Sequence, residues 1–379
     1  MQGHKKLGMK KAAVGMKPSA DNNLQKIQDI KQARQLLQKY SQTWEKLPDF
    51  GMGAHVRIIS NILVIRRLEQ ELEKPDCAPY EFLSALLQEQ IAFMTSLQKA
   101  LPAIGFAQEA NPAGRLLEDR NYDDKKFQEI YRDLWSKFDV PLMDSFSKRI
   151  SKRLLGVGIT KDFFKDKKVL DIGYGSGVYS VYAATSGAKF CLGVDPNAFN
   201  LKHAKGWATS VGVDAKCHFQ IGSAYKIKSK SDFHDFAICS GVIHHLEQPL
   251  MGLKEINRVL KDGGNFLMIV EGKGGLFHDV CDAIELLWRK RSPDSVKKIL
   301  EEYHISPNTF AFFIDSFFTQ YHRKTINGYD RLLKLAGFEV LKIYRYAPLR
   351  IPFPYKEGTN FDACFGDGNL CILCKKSKV

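Results

Sequence analysis

The segment Lys168-Val-Leu-Asp-Ile-Gly-Tyr-Gly-Ser-Gly177 carries the strongest structural signal in the chain. Its mostly apolar first half predicts a buried strand, and its second half has glycine at alternate positions. Such glycines let the backbone turn sharply from a strand into a helix and approach a ligand without clashes from Cβ atoms. The helix that follows offers unpaired N–H groups, which suit a phosphate or a carboxylate. The segment therefore predicts a strand, a ligand-binding turn and a helix.

An acidic residue after the next apolar run gives this turn its context. Asp195 ends the sequence Gly193-Val-Asp195, and a carboxylate at the end of a neighbouring strand can accept hydrogen bonds from both hydroxyls of a ribose. The dinucleotide fingerprint needs its third glycine where this chain has Val178, because the third glycine here is Gly177. This spacing argues against NAD and FAD.

Short apolar runs alternate with helical patterns from Lys168 onward. The predicted strands are Lys168–Ile172, Phe190–Val194, Cys217–Ile221, Phe236–Ser240 and Asn265–Val270. Repeated strand–helix units with apolar strands predict an α/β fold with a doubly wound, mostly parallel sheet. Two later runs, Glu339–Tyr346 and Asn369–Lys375, flank a loop rich in Pro and Gly and predict an antiparallel addition at the sheet edge.

The residues before this sheet follow a helical pattern. Apolar residues recur at helical spacing in three segments within residues 21–110, so we expect an all-α bundle there. A basic, aperiodic leader (residues 1–20) precedes the bundle and is expected to be disordered, and a polar linker (residues 111–123) follows it. Residues 124–379 form the predicted second domain, which begins with helical segments near Asp124–Phe138 and Leu142–Leu155.

Composition and charge set the class of protein. Of the 379 residues, 44% are hydrophobic and 26% are charged, so the chain can bury a sizeable core and wholesale disorder is excluded. The net charge of +14 divides into +5 over residues 1–20, −1 over 21–150 and +10 over 151–379. This balance permits nucleic acid, a membrane surface or an anionic small molecule as a partner. A solvated basic surface is the simpler interpretation, because no single helix carries the excess.

Cysteine usage and hydropathy predict a cytoplasmic protein. The eight cysteines are irregularly spaced, and several lie in apolar runs, which is typical of structural thiols in a reducing compartment. The pair Cys371 and Cys374 lacks the second pair that a zinc site needs, so we predict no metal. No apolar run is long enough to span a bilayer, and the N-terminus lacks the apolar core of a signal peptide.

Taken together, these motifs resemble the class I S-adenosylmethionine-dependent methyltransferases of the small-molecule type. The resemblance covers about residues 120–379. Its motifs are Asp171-Ile-Gly-Tyr-Gly-Ser-Gly177, Gly193-Val-Asp195, Gly222-Ser-Ala224, Phe236-Ala-Ile-Cys-Ser-Gly-Val-Ile-His-His-Leu246 and Leu253-Lys-Glu-Ile-Asn-Arg-Val-Leu-Lys-Asp-Gly-Gly264. It implies a Rossmann-like sheet, S-adenosyl-L-methionine as the cofactor and methyl transfer as the activity. The helical bundle lies outside this resemblance.

The resemblance also implies roles for individual residues. Those implied to hold the methionine end of the cofactor are Asp171, Gly173, Tyr174, Gly175 and Gly177. Those implied to contact the nucleoside are Asp195 at the ribose, Pro196 or Asn197 beside the adenine, and Ser223 and Ala224 at the adenine amine. Ser240 and Gly241 are implied to border the transferred methyl group. Many members have Asp at the position of Ser223, so the sequence departs from the family there.

A histidine pair follows the fourth predicted strand. His244 and His245 lie at the sheet edge where doubly wound folds bind their ligands. An imidazole titrates near neutral pH, so either His could be the general base for a hydroxyl acceptor. The alternative is that both only hydrogen-bond the loop backbone. The occurrence of such pairs in family members with unrelated substrates favours this alternative.

The insertion between the fifth and sixth predicted strands, about residues 271–331, is the candidate substrate-binding segment. It contains a dense aromatic run, and such runs are more often core than binding surface. Polar residues within it that could line a pocket are Asp315, Tyr321, His322 and Arg323.

Three functional hypotheses remain open. The leading one is methylation of O or N in a small molecule or metabolite, for example a glycan or lipid precursor. The second is methylation of a nucleic acid or protein that docks on the bundle. The sequence Cys239-Ser-Gly-Val242 lacks the Asn/Asp-Pro-Pro-Tyr and Pro-Cys motifs of base methylation, which disfavours nucleic acid. The third is a cofactor-binding scaffold without catalysis. The bundle's pattern does not decide whether it dimerises, covers the active site or binds another protein.

Overall fold

A computed structural model describes most of the chain. The described residues are 20–47, 51–74, 77–100, 140–288, 293–305, 307–319, 321–347 and 361–377. Residues 1–19 of the predicted leader, the linker at 111–123 and the predicted helix Asp124–Phe138 lie outside them. The domain boundaries at residues 110 and 124 therefore stay predictions.

Three helices form the amino-terminal part of the described chain, as the sequence predicts. They are α1 (Ala20–Glu45), α2 (Gly51–Leu72) and α3 (Pro79–Ala100). Each has an apolar stripe at helical spacing: in α3, for example, Leu83, Leu87 and Met94 are buried. After the undescribed residues, α4 (Val140–Gly156) leads to the sheet and confirms the second helical segment.

Within the described residues, seven strands form one sheet in the order β3-β2-β1-β4-β5-β7-β6. The strands are β1 (Lys168–Ile172), β2 (Phe190–Asp195), β3 (Cys217–Ile221), β4 (His234–Ser240), β5 (Leu260–Glu271), β6 (Phe338–Tyr346) and β7 (Asn369–Lys376). The first five strands are parallel to one another, whereas β7 is antiparallel to both β5 and β6. The predicted doubly wound sheet with an antiparallel addition is confirmed, and β6 itself runs in the direction of β5.

Helices cover both faces of this sheet. The core on one face contains buried residues of α4, α5 (Val178–Thr185) and α6 (Ala198–Ser210). The core on the other face contains buried residues of α7 (Pro249–Val259) and α11 (Ile326–Leu335). Successive residues of a strand enter opposite cores: Val169 lies in the first, and Leu170 and Ile172 lie in the second.

The fifth strand differs from the prediction at its start. It begins at Leu260 instead of Asn265 and therefore includes Gly263 and Gly264, which the sequence indicates as a turn. His234 pairs with Leu260 and Phe236 pairs with Asn265, so β5 has extra residues opposite β4. Gly263 has a φ of +69°, a left-handed conformation that glycine adopts without strain and that lets the chain bulge without leaving the sheet.

The insertion adds helices that pack away from the sheet. These are α8 (Leu276–Trp288), α9 (Pro293–Glu302) and α10 (Pro307–Phe318). The short α12 (Phe361–Phe365), which lies outside the insertion between β6 and β7, packs with them. Their buried apolar residues join those of α1, α2 and α3 in a third core, which contains no strand residue. The bundle and the insertion thus share their hydrophobic interior.

All eight cysteines are free and buried, including Cys371 and Cys374 on β7. None of the described helices combines the length and the apolar character that crossing a bilayer requires. The described residues also contain no group of three or more His, Cys, Asp or Glu side chains placed to hold a metal ion.

Candidate active site

The glycine turn lies against the loop that follows β4. Gly173, Gly175 and Gly177 have φ values of +70°, +51° and +80°, which side chains other than glycine rarely adopt. A Cβ atom on Gly173 would lie 2.2 Å from the Val242 Cγ2 atom, so the two loops approach too closely for a larger residue. Because β1 and β4 are neighbours where the strand order reverses, this is the switch point at which doubly wound sheets bind ligands.

The Asp195 carboxylate holds this turn in place. One oxygen accepts from the Gly175 N–H at 3.0 Å, and the other accepts from the Asn197 N–H at 2.8 Å and the Asn200 amide at 3.1 Å. The residue is only 6% exposed. Burial raises the pKa of Asp195, and these hydrogen bonds oppose that effect. The sequence places Asp195 correctly at the end of β2 but does not identify Asn200 as its partner.

Asp171 contacts the helix after the turn. One of its oxygens accepts from both the N–H and the hydroxyl of Ser180, at 3.0 and 2.7 Å. Burial, with a further contribution from Asp195, raises the pKa of Asp171 to about 7, although the Ser180 hydrogen bonds oppose the rise. Two buried carboxyl groups beside one turn favour a cationic ligand over an anionic one.

The surroundings of Asp195 fit a nucleoside ligand. Three buried polar atoms on the flanking elements have no hydrogen-bond partner: the Tyr174 hydroxyl, the Asn200 amide oxygen and the Gln220 amide nitrogen. Gly241 has a φ of +71°, and a Cβ there would meet only open space. Unpartnered donors and acceptors at this edge of the sheet are suited to a ligand that carries sugar hydroxyls and a polar base.

The remaining residues implied for the cofactor surround this position. Pro196 is exposed immediately after Asp195, and Ala224 is buried after β3. The Ser223 hydroxyl accepts from the Tyr225 N–H at 3.1 Å, and the Ser240 hydroxyl lies 3.4 Å from the Tyr179 hydroxyl. S-adenosylmethionine carries a nucleoside, a sulfonium and an ammonium group, so the donor set and the two carboxyls suit it. When bound there, it would supply an electrophilic methyl group.

The first residue of the histidine pair is held by the protein. His244 lies in a 3-10 turn (Ile243–His245) and is 4% exposed. Its Nδ1 atom accepts from the Glu271 N–H at 3.3 Å, which places its proton on Nε2. Its ring stacks on Tyr321 with centroids 4.9 Å apart. Burial, helped by the neighbouring His245, moves the pKa of His244 well below its ordinary value, so this imidazole stays neutral.

The second histidine faces the insertion. His245 Nε2 lies 3.9 Å from the Asp315 carboxylate, and its Nδ1 lies 3.5 Å from the Thr319 hydroxyl. The Tyr321 hydroxyl donates to the other Asp315 oxygen at 2.7 Å. The structure thus brings two predicted substrate residues, Asp315 and Tyr321, onto the predicted base. The sequence does not identify Thr319, because a single hydroxyl in an aromatic run carries no distinguishing pattern.

His322 and Arg323 contact the same cluster differently. The His322 N–H donates to the His244 carbonyl at 2.7 Å, while its side-chain Nε2 is buried without a partner. The Arg323 guanidinium donates to Glu271 at 2.8 Å and to Asp282 at 2.9 Å, and it lies 4.4 Å from the centre of the Tyr321 ring. Glu271 was not singled out from the sequence, although it follows an apolar run just as Asp195 does.

The Glu271–Arg323 pair should be visible in the pH dependence of stability. Burial would raise the pKa of Glu271, but the neighbouring Arg323 guanidinium lowers it to about 2. A folded-state pKa below the unfolded value stabilises the fold above about pH 4.5, and this contribution is lost as the pH falls toward 2. We expect Arg323→Met to lower the free energy of unfolding by about 2 kcal/mol at pH 7, measured with urea, and by clearly less at pH 3.

A matched control for this variant is Arg331→Met, which removes an exposed guanidinium from α11. We expect it to change the free energy of unfolding by no more than about 0.5 kcal/mol at either pH. Equal destabilisation by the two variants, or a loss in Arg323→Met that does not vary with pH, would contradict the role of the pair.

Comparisons with known proteins match the part of the chain that carries this site. Residues 170–268 match a family model described as a methyltransferase domain, Methyltransf_11. The uncharacterized methyltransferase YcgJ of Bacillus subtilis is 32% identical over 104 residues, which are 27% of this chain and 40% of that protein. The tRNA U34 carboxymethyltransferase of Vibrio vulnificus is 27% identical over 111 residues, 28% of this chain and 34% of that protein.

A plant protein matches over a similar length. Norajmaline N-methyltransferase of Rauvolfia serpentina is 28% identical over 105 residues, which are 28% of this chain and 36% of that protein. The chain thus spans only between 31% and 40% of the length of the first curated relatives that it matches.

The matched segment runs from β1 into β5. It includes the glycine turn, the Asp195 carboxylate and the histidine pair, and it excludes α1, α2, α3 and the insertion. The motifs, the strand order and the geometry at the switch point agree with one another. The chain therefore contains a class I S-adenosylmethionine-dependent methyltransferase domain, preceded by a helical extension.

Proposed function

We propose that the chain transfers the methyl group of S-adenosylmethionine to an oxygen or nitrogen atom of a small molecule. The observation that carries this proposal is the His245–Asp315–Tyr321 cluster beside the cofactor residues. It brings polar side chains of the insertion to His245, which lies in the loop that begins after Ser240 and Gly241, the residues implied to border the methyl group. The name of the Rauvolfia serpentina relative, an N-methyltransferase of a small molecule, is consistent with this substrate class.

We assign the base to His245 in preference to His244. His244 presents its Nδ1 lone pair to the backbone of Glu271, and its lowered pKa makes it a poor proton acceptor. His245 has the Asp315 carboxylate 3.9 Å away, which balances the charge of an imidazolium. Bound S-adenosylmethionine would supply an electrophilic methyl group. A hydroxyl acceptor would pass its proton to Nδ1 of His245, which lies 3.5 Å from the Thr319 hydroxyl, while the Nε2 side of the resulting imidazolium faces Asp315.

The other substrate residues take different parts in this proposal. Asp315 and Tyr321 orient the base and border the acceptor, and the unpartnered Nε2 of His322 is an additional contact for it. Arg323 is engaged by Glu271 and Asp282, so we propose that it positions Tyr321 and does not bind an anionic substrate.

Nucleic acid is the second candidate substrate. Several relatives are named tRNA U34 carboxymethyltransferase, and the chain is basic overall. Their similarity covers only 27–28% of this chain, and the matched methyltransferase domain excludes the insertion and the helical extension. Because the insertion supplies the polar side chains beside His245, we favour a small molecule.

One experiment separates these candidates. The purified chain is incubated with methyl-labelled S-adenosylmethionine and an extract of the source cells fractionated into small molecules, RNA and protein. We expect label in the small-molecule fraction, and none when Asp195→Ala replaces the wild type. Label in RNA or protein would instead establish the second candidate. Cofactor binding in calorimetry without label in any fraction would support a non-catalytic scaffold and overturn the proposal.

We also propose that the protein works in the reducing cytoplasm. The eight buried cysteines without disulfides are consistent with this location.

A further inference from the structure

The helical extension and the insertion are built around one core. Its fully buried members come from both parts: Tyr40 and Trp44 on α1, Ile58 and Leu68 on α2, Leu87 on α3, Ile284 and Trp288 on α8, and Phe313 and Phe317 on α10. The two cores of the sheet contain none of these residues. The insertion helices therefore bury their apolar faces against the extension and not against the sheet.

A buried amide joins the two parts at the centre of this core. The Asn61 side chain, on α2, is fully buried. The amide is assigned the orientation that satisfies both of its ends: the oxygen then accepts from the Trp288 indole N–H at 2.7 Å, and the nitrogen donates to the Tyr40 hydroxyl at 2.5 Å. Buried polar groups that satisfy each other in this way fix the register of the elements that carry them, because any shift leaves one of them unpaired.

Polar contacts at the edge of this core also join the N-terminal helices to the rest of the chain. Arg34 on α1 lies 3.4 Å from Asp279 on α8, and the Tyr80 hydroxyl on α3 donates to the Ala363 carbonyl on α12 at 3.1 Å. Each N-terminal helix thus contacts an element of the catalytic half of the chain through a polar group as well as through apolar packing. Such contacts favour a helical extension that is held rigidly against the catalytic half of the chain over one that moves separately.

Helix α10 connects this core to the histidine pair. Phe313 and Phe317 face Trp288, with ring centroids 5.5 and 4.9 Å away. Asp315 and Thr319 lie two residues further along, which is about 200° around a helix and therefore on the opposite side. There they meet His245 at 3.9 and 3.5 Å. One face of α10 thus rests on the extension's core, and the other presents a carboxylate to His245.

We propose that the helical extension is a positioning element of the active site. Through Asn61 and Trp288 it sets the position of α10, and through α10 it sets Asp315 and Thr319 against His245. The extension thereby covers the substrate side of its own domain. This inference rests on the proposed function of His245, but its test below requires no methyl transfer.

The test compares Asn61→Leu with Arg67→Ala in the full chain. Leucine fills the volume of Asn61 but pairs with neither Trp288 nor Tyr40. Arg67→Ala breaks an exposed ion pair between α2 and α3, in which Arg67 and Glu89 are 2.8 Å apart, and this pair lies outside the shared core. The readouts are hydrogen exchange by mass spectrometry and the imidazole NMR signals of His245, assigned with His245→Gln.

For Asn61→Leu we expect amide exchange in residues 307–319 to rise by about tenfold. We also expect the His245 imidazole signals to move in the same direction as in Asp315→Asn. Exchange in β1, β2 and β4 and the affinity for S-adenosylmethionine should stay within about twofold of wild type. Arg67→Ala should leave both readouts unchanged.

Faster exchange in α1 and α2 with unchanged α10 and unchanged His245 signals would overturn the proposal, because the extension would then be an independent appendage. Trp288→Phe is the second variant in case Asn61→Leu does not fold, since it keeps an aromatic ring and removes the indole N–H. Unchanged His245 signals in a folded Trp288→Phe variant would overturn the proposal equally. Failure of the methyltransferase proposal would appear separately, as loss of cofactor binding or of methyl transfer in the wild type.

Discussion

Asp195→Ala should weaken S-adenosylmethionine binding by about 100-fold or more, measured by isothermal titration calorimetry. A carboxylate that accepts from two ribose hydroxyls contributes about 1.5–3 kcal/mol for each hydrogen bond to the charged group. The same carboxylate also fixes the Gly175 and Asn197 N–H groups, so its removal frees the glycine turn as well. The stabilisation that excess cofactor gives to thermal unfolding should disappear together with the affinity.

Two further variants separate the effect on the ribose from the effect on the turn. Asn200→Ala removes one donor to Asp195 but keeps the carboxylate, so we expect a loss of affinity below about tenfold. Asp214→Ala removes an exposed acid before β3 and should leave the affinity unchanged. Wild-type affinity in a folded Asp195→Ala variant would show that the cofactor does not bind at the end of β2.

The alternation of apolar strands and helices was enough to predict the sheet. β1 and β3 have the predicted bounds, and β2 is one residue longer. β1 and β2 are buried along almost their whole length, and such strands give apolar runs that are easily recognised. The start of β5 was not predictable in this way, since two glycines indicate a turn whether the chain leaves the sheet or only bulges within it. Strand pairing over long distances, such as β7 between β5 and β6, gives no local signal beyond an apolar run.

The residues of the site also differ in how far their roles can be predicted from the local sequence. Gly173 and Asp195 are recognisable because their roles are local: a turn after one strand and an acid after the next. The shared core of α2, α8 and α10 is not recognisable, because helical periodicity shows that a helix has an apolar face but not which partner covers it. The sequence identifies Asp315 as a polar residue within the aromatic run, but it does not show that Asp315 faces His245 from the side of α10 opposite to the phenylalanines.

The second large effect is expected on kcat, and it follows from the proposal that His245 and not His244 is the general base. We expect His245→Gln to lower kcat for methyl transfer to a hydroxyl acceptor by about 100-fold or more, the usual contribution of a general base. Glutamine retains hydrogen-bonding groups but cannot take up a proton near neutral pH. The affinity for S-adenosylmethionine should stay within about threefold of wild type, because the ring nitrogens of His245 face Asp315 and Thr319 on the insertion.

The matched variant is His244→Asn, whose side-chain oxygen can replace Nδ1 as the acceptor for the Glu271 N–H. We expect it to lower kcat by less than about tenfold, with Asp315→Asn between the two histidine variants. A neutral imidazole is the active form of the base, so the wild-type rate should rise with pH and then level off. This rising limb should vanish in His245→Gln and persist in His244→Asn. If it vanished only in His244→Asn, the base would be His244, and the hydrogen bond from Glu271 would have to break before each proton transfer.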